Sequence, residues 1–279
     1  METKVNKIPI PAKVGLFDSG VGGISVLNEI RKLLPSIDLL YVADSAHVPY
    51  GEKSPNYIKD RSRKITRFLV SKKVNAIVVA CNTATAAAIS DLRREFVTPF
   101  IGMEPAVKPA IAATRSGIVG VLATTGTLAS AKFAALLERY KGDREVITEP
   151  CPGWVNAVES GKLSDLEVED LVRRHVEPLV KQGADVLILG CTHYPFLKPF
   201  IEKIAGPSVT LVDTGTAVAK QLRLKLADIG YDSMSSQLSH LPAATVFFTS
   251  GDPIQAQPVM SRLSQERIPI VEQLPAEFI

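Results

Sequence analysis

Asn75-Ala-Ile-Val-Val-Ala-Cys81-Asn82-Thr83 and Ala184-Asp-Val-Leu-Ile-Leu-Gly-Cys191-Thr192-His193 follow one pattern: an apolar run that ends in a small residue, a cysteine and polar groups. A short apolar run bounded by polar residues reads as a strand buried on both faces, as in a parallel sheet. A second pair lies upstream at nearly the same offset, Val14-Gly-Leu-Phe-Asp18-Ser19-Gly20 against Val119-Gly-Val-Leu-Ala123-Thr124-Thr125-Gly126. Two matches in the same order predict a duplicated unit and hence two related lobes.

Further runs of the same kind extend the pattern. Residues 14–17, 39–42, 76–80, 118–123, 186–189 and 209–212 read as strands, while 58–70, 84–96, 128–140 and 166–180 place apolar residues three and four apart, the helical spacing. The alternation predicts an α/β fold of two pseudo-symmetric lobes, each a mainly parallel sheet flanked by helices, with the active site in the cleft between them. Pro99 and Pro105 bracket a short strand, which puts a boundary near Met103-Glu-Pro105. The first lobe is expected to comprise 1–103 plus about 217–279 and to carry Cys81; the second, 104–216, carries Cys191. The tail, with Pro242, Pro253, Pro258, Pro269 and Pro275, is weakly periodic, so its return to the first lobe rests on little local pattern.

Composition narrows the function classes. Of 279 residues, 46% are hydrophobic and 22% charged, the balance of a folded globular chain. The net charge of +3 is dispersed, and the cluster Arg61-Ser-Arg-Lys64 is too short for a phosphate-binding stripe, so it reads as a solvated helix face and no nucleic acid is expected. Lys4, Lys7 and Lys13 precede no apolar core of signal-peptide length, and no run approaches the ~20 apolar residues that span a bilayer. A cytoplasmic protein without membrane contact is the expectation. Three dispersed cysteines argue for free thiols, and no Cys or His spacing matches a zinc site.

Chemistry concentrates where parallel strands end, because ligands of open α/β sheets bind outside the carboxyl ends. Cys81 and Cys191 both fall there, each ahead of a segment that can open a helix whose dipole favours a thiolate. Inverting a stereocentre requires removing a proton from one face and delivering another to the opposite face, which two monoprotic groups can do without moving the substrate. Asp18 heads the turn Ser19-Gly-Val-Gly-Gly23, whose glycines allow close backbone approach and whose amides could hold a carboxylate; a plain helix cap is the alternative. The turn lacks both the Walker ending and the dinucleotide Gly-x-Gly-x-x-Gly spacing. His193, two residues beyond Cys191, can orient or exchange a proton with the thiol. Cys151 has no counterpart cysteine and reads as structural, and Glu159 taken alone reads as a surface carboxylate. A non-catalytic amino-acid binder with incidental cysteines, and a thiol hydrolase or redox protein, remain as alternatives.

Four motifs then carry a resemblance: Gly15-Leu-Phe-Asp18-Ser19-Gly-Val-Gly-Gly23, Asp44-Ser45 through Pro49-Tyr50-Gly51, Ala80-Cys81-Asn82-Thr83-Ala84, and Leu189-Gly190-Cys191-Thr192-His193-Tyr194-Pro195. In their order over nearly the whole chain, the sequence resembles the glutamate racemase family of the aspartate/glutamate racemase group. The resemblance implies a bacterial, cytoplasmic, usually dimeric isomerase that interconverts L- and D-glutamate for peptidoglycan, with no cofactor and no metal. It makes Cys81 and Cys191 the catalytic thiols with Asp18 and His193 assisting, and Glu159 a carboxylate near the second thiol. Asp18, Ser19, Tyr50, Gly51, Asn82, Thr83, Thr192 and His193 are implied to hold the substrate, and Thr124 and Thr127 to add hydroxyl contacts. A relative acting on aspartate is the nearest rival, since a pair of thiols is indifferent to side-chain length.

Overall fold

A computed structural model describes residues 12–163, 166–231, 243–265 and 270–279. Ten strands run β1 (Lys13–Asp18), β2 (Asp38–Ala43), β3 (Ala76–Val79), β4 (Phe100–Ile101), β5 (Ile118–Ala123), β6 (Glu145–Pro150), β7 (Val186–Leu189), β8 (Thr210–Val212), β9 (Thr245–Thr249) and β10 (Val271–Gln273). The helices among them are α1 (Ile24–Leu33), α2 (Pro55–Ser71), α3 (Asn82–Glu95), α4 (Val107–Ala113), α5 (Thr125–Leu128), α6 (Ala131–Tyr140), α7 (Trp154–Glu159), α8 (Leu166–Lys181), α9 (Lys198–Ala205), α10 (Gly215–Asp228) and α11 (Pro253–Leu263).

Two sheets form, in the orders β10-β9-β2-β1-β3-β4 and β6-β5-β7-β8, and every pairing is parallel. The four strands β2-β1-β3-β4 of the first sheet have the topology of the whole second sheet. The duplication extends to register: Val14 pairs with Ala76 as Val119 pairs with Val186, and the bond from Ala80 N–H to Phe17 O (2.8 Å) has its twin from Gly190 N–H to Leu122 O (2.7 Å). In both sheets the chain reverses direction between the first and third strands of the repeat. Such a switch point opens a crevice at the carboxyl ends, and Asp18 with Cys81, and Thr124 with Cys191, stand at the two crevices.

Packing follows the strand period of two. Leu16, Ala76, Val78, Leu122, Leu187 and Leu189 share one core that spans both sheets, while Phe17, Ile77 and Val79 face a second and Val119, Val121 and Ile188 a third. Burying both faces is what the continuous apolar runs required.

Two expectations need correction. The helix expected over 128–140 is two helices, because the Ser130 hydroxyl accepts the Phe133 amide (3.1 Å) and caps α6, a break that apolar spacing alone does not register. The strands β6, β9 and β10 had no signal of their own. β6 is an edge strand with half-exposed residues, so its sequence is not a closed apolar run. β9 and β10 extend the first sheet beyond β2, which brings the tail back to Cys81's side. Residues 1–11, 164–165, 232–242 and 266–269, including Lys4, Lys7, Pro242 and Pro269, lie outside the described residues. Among the described residues no helix is long and apolar enough to cross a membrane.

Candidate active site

Cys81 and Cys191 line one narrow pocket between the two sheets, together with Ser19, Tyr50, Asn82, Thr83, Thr124, Thr192 and His193. Both thiols are nearly enclosed, at 5% and 8% exposure, so a substrate reaches them through movement of the surrounding walls. A larger cavity lies on the far side of Cys191, lined by Ser25, Glu29, Lys198 and Asp213, but Cys81 does not reach it.

The two thiols have different surroundings. Cys81 is the cap of α3, and its sulfur accepts the Ala84 amide at 3.4 Å. That bond favours a thiolate, yet burial and then the adjacent Asp18 carboxyl push the thiol well above the ordinary range. Cys81 therefore rests protonated. Asp18 is itself raised by burial, against the lowering influence of His193 and of the Thr192 hydroxyl, which donates to Oδ2 at 2.9 Å.

Cys191 has an imidazole in place of a helix. The chain leaves β7 through a turn, and the short 3-10 segment Tyr194–Leu197 precedes α9, so the dipole expected at this thiol is not delivered by an α-helix start. His193 Nδ1 lies 3.6 Å from the sulfur, and its Nε2 lies 2.6 Å from Glu159 Oε1. Burial works to lower the imidazole's pKa, but the bonds to Cys191 and Glu159 outweigh it and raise the group well above its usual range. A charged ring with one N–H on each partner follows from these neighbours. It places an imidazole N–H beside the Cys191 sulfur.

Tyr50 and the paired threonines close the opposite wall. Thr83 bonds Thr124 (2.9 Å) and Thr127 (3.2 Å) through hydroxyls, linking α3 to the start of α5. A Cβ on Gly51 would stand 2.8 Å from Thr124 Cβ, so glycine is what lets these walls meet. Asn82 is buried with neither its amide oxygen nor its nitrogen partnered among the described residues. An orphaned amide in a pocket wall is a ready recognition element for a polar ligand. Among the described residues no group of three or more His, Cys, Asp or Glu is arranged to hold a metal ion.

The sequence model of the Asp/Glu/Hydantoin racemase family matches residues 23–222. The chain belongs to that family. It is 55% identical over 257 residues to a glutamate racemase of Ectopseudomonas mendocina (strain ymp), covering 92% of this chain and 96% of that one. Its fold superposes with a TM-score of 0.82 on the glutamate racemase isoform RacE1 of Bacillus anthracis, at 31% identity over 95% of this chain and 98% of that one. The glutamate racemase of Escherichia coli, solved in complex with L-glutamate and activator UDP-MurNAc-ala, gives 0.81 at 30% identity over 95% and 98%.

Against this racemase scaffold the expected residues fall into two layers. Ser19, Tyr50, Gly51, Asn82, Thr83, Thr124, Thr192 and His193 line the pocket with the thiols. Asp18, Glu159 and Thr127 do not line it; each bonds a group that does. Sequence reasoning missed the support of Tyr50. Its hydroxyl donates to Asp44 Oδ2 (2.5 Å), and Arg61 grips the same carboxylate with Nε (2.9 Å) and Nη2 (2.7 Å). Arg61 is 4% exposed, which overturns its reading as part of a solvated face. The signal was its phase on α2: three residues after Ile58 and four before Ile65, it lies on the stripe that those buried residues define.

Proposed function

We propose that the chain interconverts L- and D-glutamate by a two-base mechanism, without a cofactor, using Cys81 and Cys191 on opposite faces of the α-carbon. The observation that carries this reading is the meeting of two thiols from equivalent strand ends in one pocket, in unlike protonation environments. The lobes are read as 1–103 with 217–279, and 104–216. Glutamate as substrate is supported by the near relatives and by the L-glutamate complex of the E. coli protein.

In the first half-reaction one cysteine, as thiolate, takes the α-proton and becomes a thiol, leaving the electron pair on carbon. The opposite thiol then gives its proton to the other face and becomes the thiolate. Atoms and charge balance, and the pair ends with its roles exchanged. In the resting state Cys81, raised by burial and by Asp18, takes the thiol role, and Cys191 faces it with His193 Nδ1 3.6 Å from its sulfur. In this cofactor-free reading, positioning and hydrogen bonds from Asn82, Thr83, Ser19 and Thr192 in a water-poor pocket stabilise the carbanion. Asp18 and Glu159 act through their neighbours rather than on the substrate.

The same reading makes the protein a cytoplasmic homodimer that supplies D-glutamate for peptidoglycan. Chiral analysis of products from L-glutamate, D-glutamate and both aspartates, with purified protein and no added cofactor, tests it. Racemisation of the glutamates with little of the aspartates is the expected result. Turnover of aspartate alone, or none without an added cofactor, overturns it.

A further inference from the structure

The glycine-rich turn after β1 was a candidate for holding a substrate carboxylate. One of its amides already holds a carboxylate, and it is the protein's own: Val21 N–H donates to Glu159 Oε1 at 2.7 Å. The same oxygen receives His193 Nε2 at 2.6 Å. Two glycines make room for this pair. A Cβ on Gly20 would lie 1.9 Å from Glu159 Oε1, and one on Gly22 would lie 2.2 Å from His193 Nδ1. The imidazole is engaged at both ring nitrogens, and the Glu159 carboxyl can turn aside only by giving up the bonds of Oε1 to Val21 and His193.

The turn and the pair belong to different halves of the molecule. Val21 follows the first sheet's β1, whereas Glu159 ends α7 and His193 follows β7, both on the second sheet's side. Two more bonds cross at the same seam, from Ser25 Oγ to Thr192 O (2.8 Å) and from Thr192 Oγ1 to Asp18 Oδ2 (2.9 Å). Cys81 depends on the seam less directly, because the Ala84 amide and Asp18 that flank it lie on its own side and the other half reaches it through the Thr192 bond to Asp18.

We propose that Gly20, Val21 and Gly22 are positioning residues for the second thiol: closing the two lobes seats the Glu159–His193 pair on this turn, and that seating presents the imidazole to Cys191. One thiol is then set within its lobe, and the other becomes competent on closure. The inference rests on the two-thiol reading for its bearing on turnover, though the seat itself does not. The titratable groups facing the imidazole are Cys191 beside it, Glu159 from α7 and Asp18 from β1, with Cys81 and Tyr41 beyond Asp18.

Nuclear magnetic resonance of the full chain with labelled histidine tests this. The sequence holds four histidines, so His193 is assignable by a His193→Gln control. In Gly20→Ala the His193 titration midpoint should fall by at least about one pH unit, a tenfold loss of proton affinity. The pH profile of kcat/KM should move with it, while the Ala84 amide stays in place. An unchanged His193 titration in Gly20→Ala overturns the proposal, whatever the turnover. Should Gly20→Ala fail to fold, the wild type decides: the Val21 amide resonance should shift at the pH where His193 titrates, and Glu159→Gln should move both. A Val21 amide indifferent to His193 overturns the proposal too. Failure of the two-thiol reading looks different, since Cys191→Ser would then keep racemising while the Val21–His193 coupling persisted.

Discussion

At the residue scale the account turns on two sulfurs made unlike by their neighbours. Replacing either by serine removes an acid–base group matched to the task, and general acid–base catalysis contributes roughly 10²–10⁴ in rate. Cys81→Ser and Cys191→Ser should each lower kcat by that order, measured by polarimetry, with unchanged circular dichroism. Because enantiomers have equal free energy in water, kcat/KM must fall by the same factor in both directions, however asymmetric the site. His193 gives a pH signature of opposite sense to a salt-bridged carboxylate. Its folded pKa is raised above the unfolded value, so the stability it contributes is full below about pH 6.5 and is lost as pH rises through the folded value. Urea unfolding of wild type against His193→Gln should show a gap that narrows from pH 7 upward; a gap that widens would contradict a charged imidazole. The thiols were legible from the repeat, since an apolar run ending in cysteine twice is a pattern. Glu159 was not legible from residue type alone, because a separation of 34 positions from His193 conceals a contact made by tertiary packing.

At the scale of elements, helix α2 shows how a charge can sit on a buried stripe. Arg61 and Asp44 form a bidentate pair at 5% and 0% side-chain exposure, and Tyr50 hangs from the same carboxylate. Removing one partner of a buried pair leaves an uncompensated charge, which costs about 3–5 kcal/mol. Arg61→Met should lose stability of that size in denaturant titration and raise KM through a displaced Tyr50; Arg61→Met with Asp44→Asn should recover much of the stability. If the single variant unfolds as wild type does, the pair is not holding the wall. Strand positions buried on both faces were readable because every residue had to be apolar. Edge strands and caps were not, since β6 and Ser130 meet solvent or backbone groups that impose little on composition.

At the scale of the whole molecule, duplication explains why the chemistry is shared. Two four-strand units with one order and one register bring equivalent strand ends to a common seam, and the pocket there is lined from both. Hydrogen bonds join the halves across the seam, among them Glu159 to Val21, Thr192 to Asp18 and Thr83 to Thr124. Small-angle scattering should therefore show a smaller radius of gyration in saturating glutamate than in its absence, and slower alkylation of both thiols. Identical lobe separation in the two conditions would count against closure. The two parallel sheets flanked by helices followed from the repeat, whereas the seam's hydrogen bonds depend on how two units pack, which a one-dimensional pattern does not specify.

The most direct measurement follows deuterium from D2O into the α-position when L-glutamate is the starting enantiomer. Two thiols on opposite faces predict that the earliest D-glutamate carries deuterium, while unreacted L-glutamate keeps its protium, because the base that removes the proton is not the acid that replaces it. Deuterium appearing in recovered L-glutamate as fast as in the product would mean that one group works both faces, and would contradict the account.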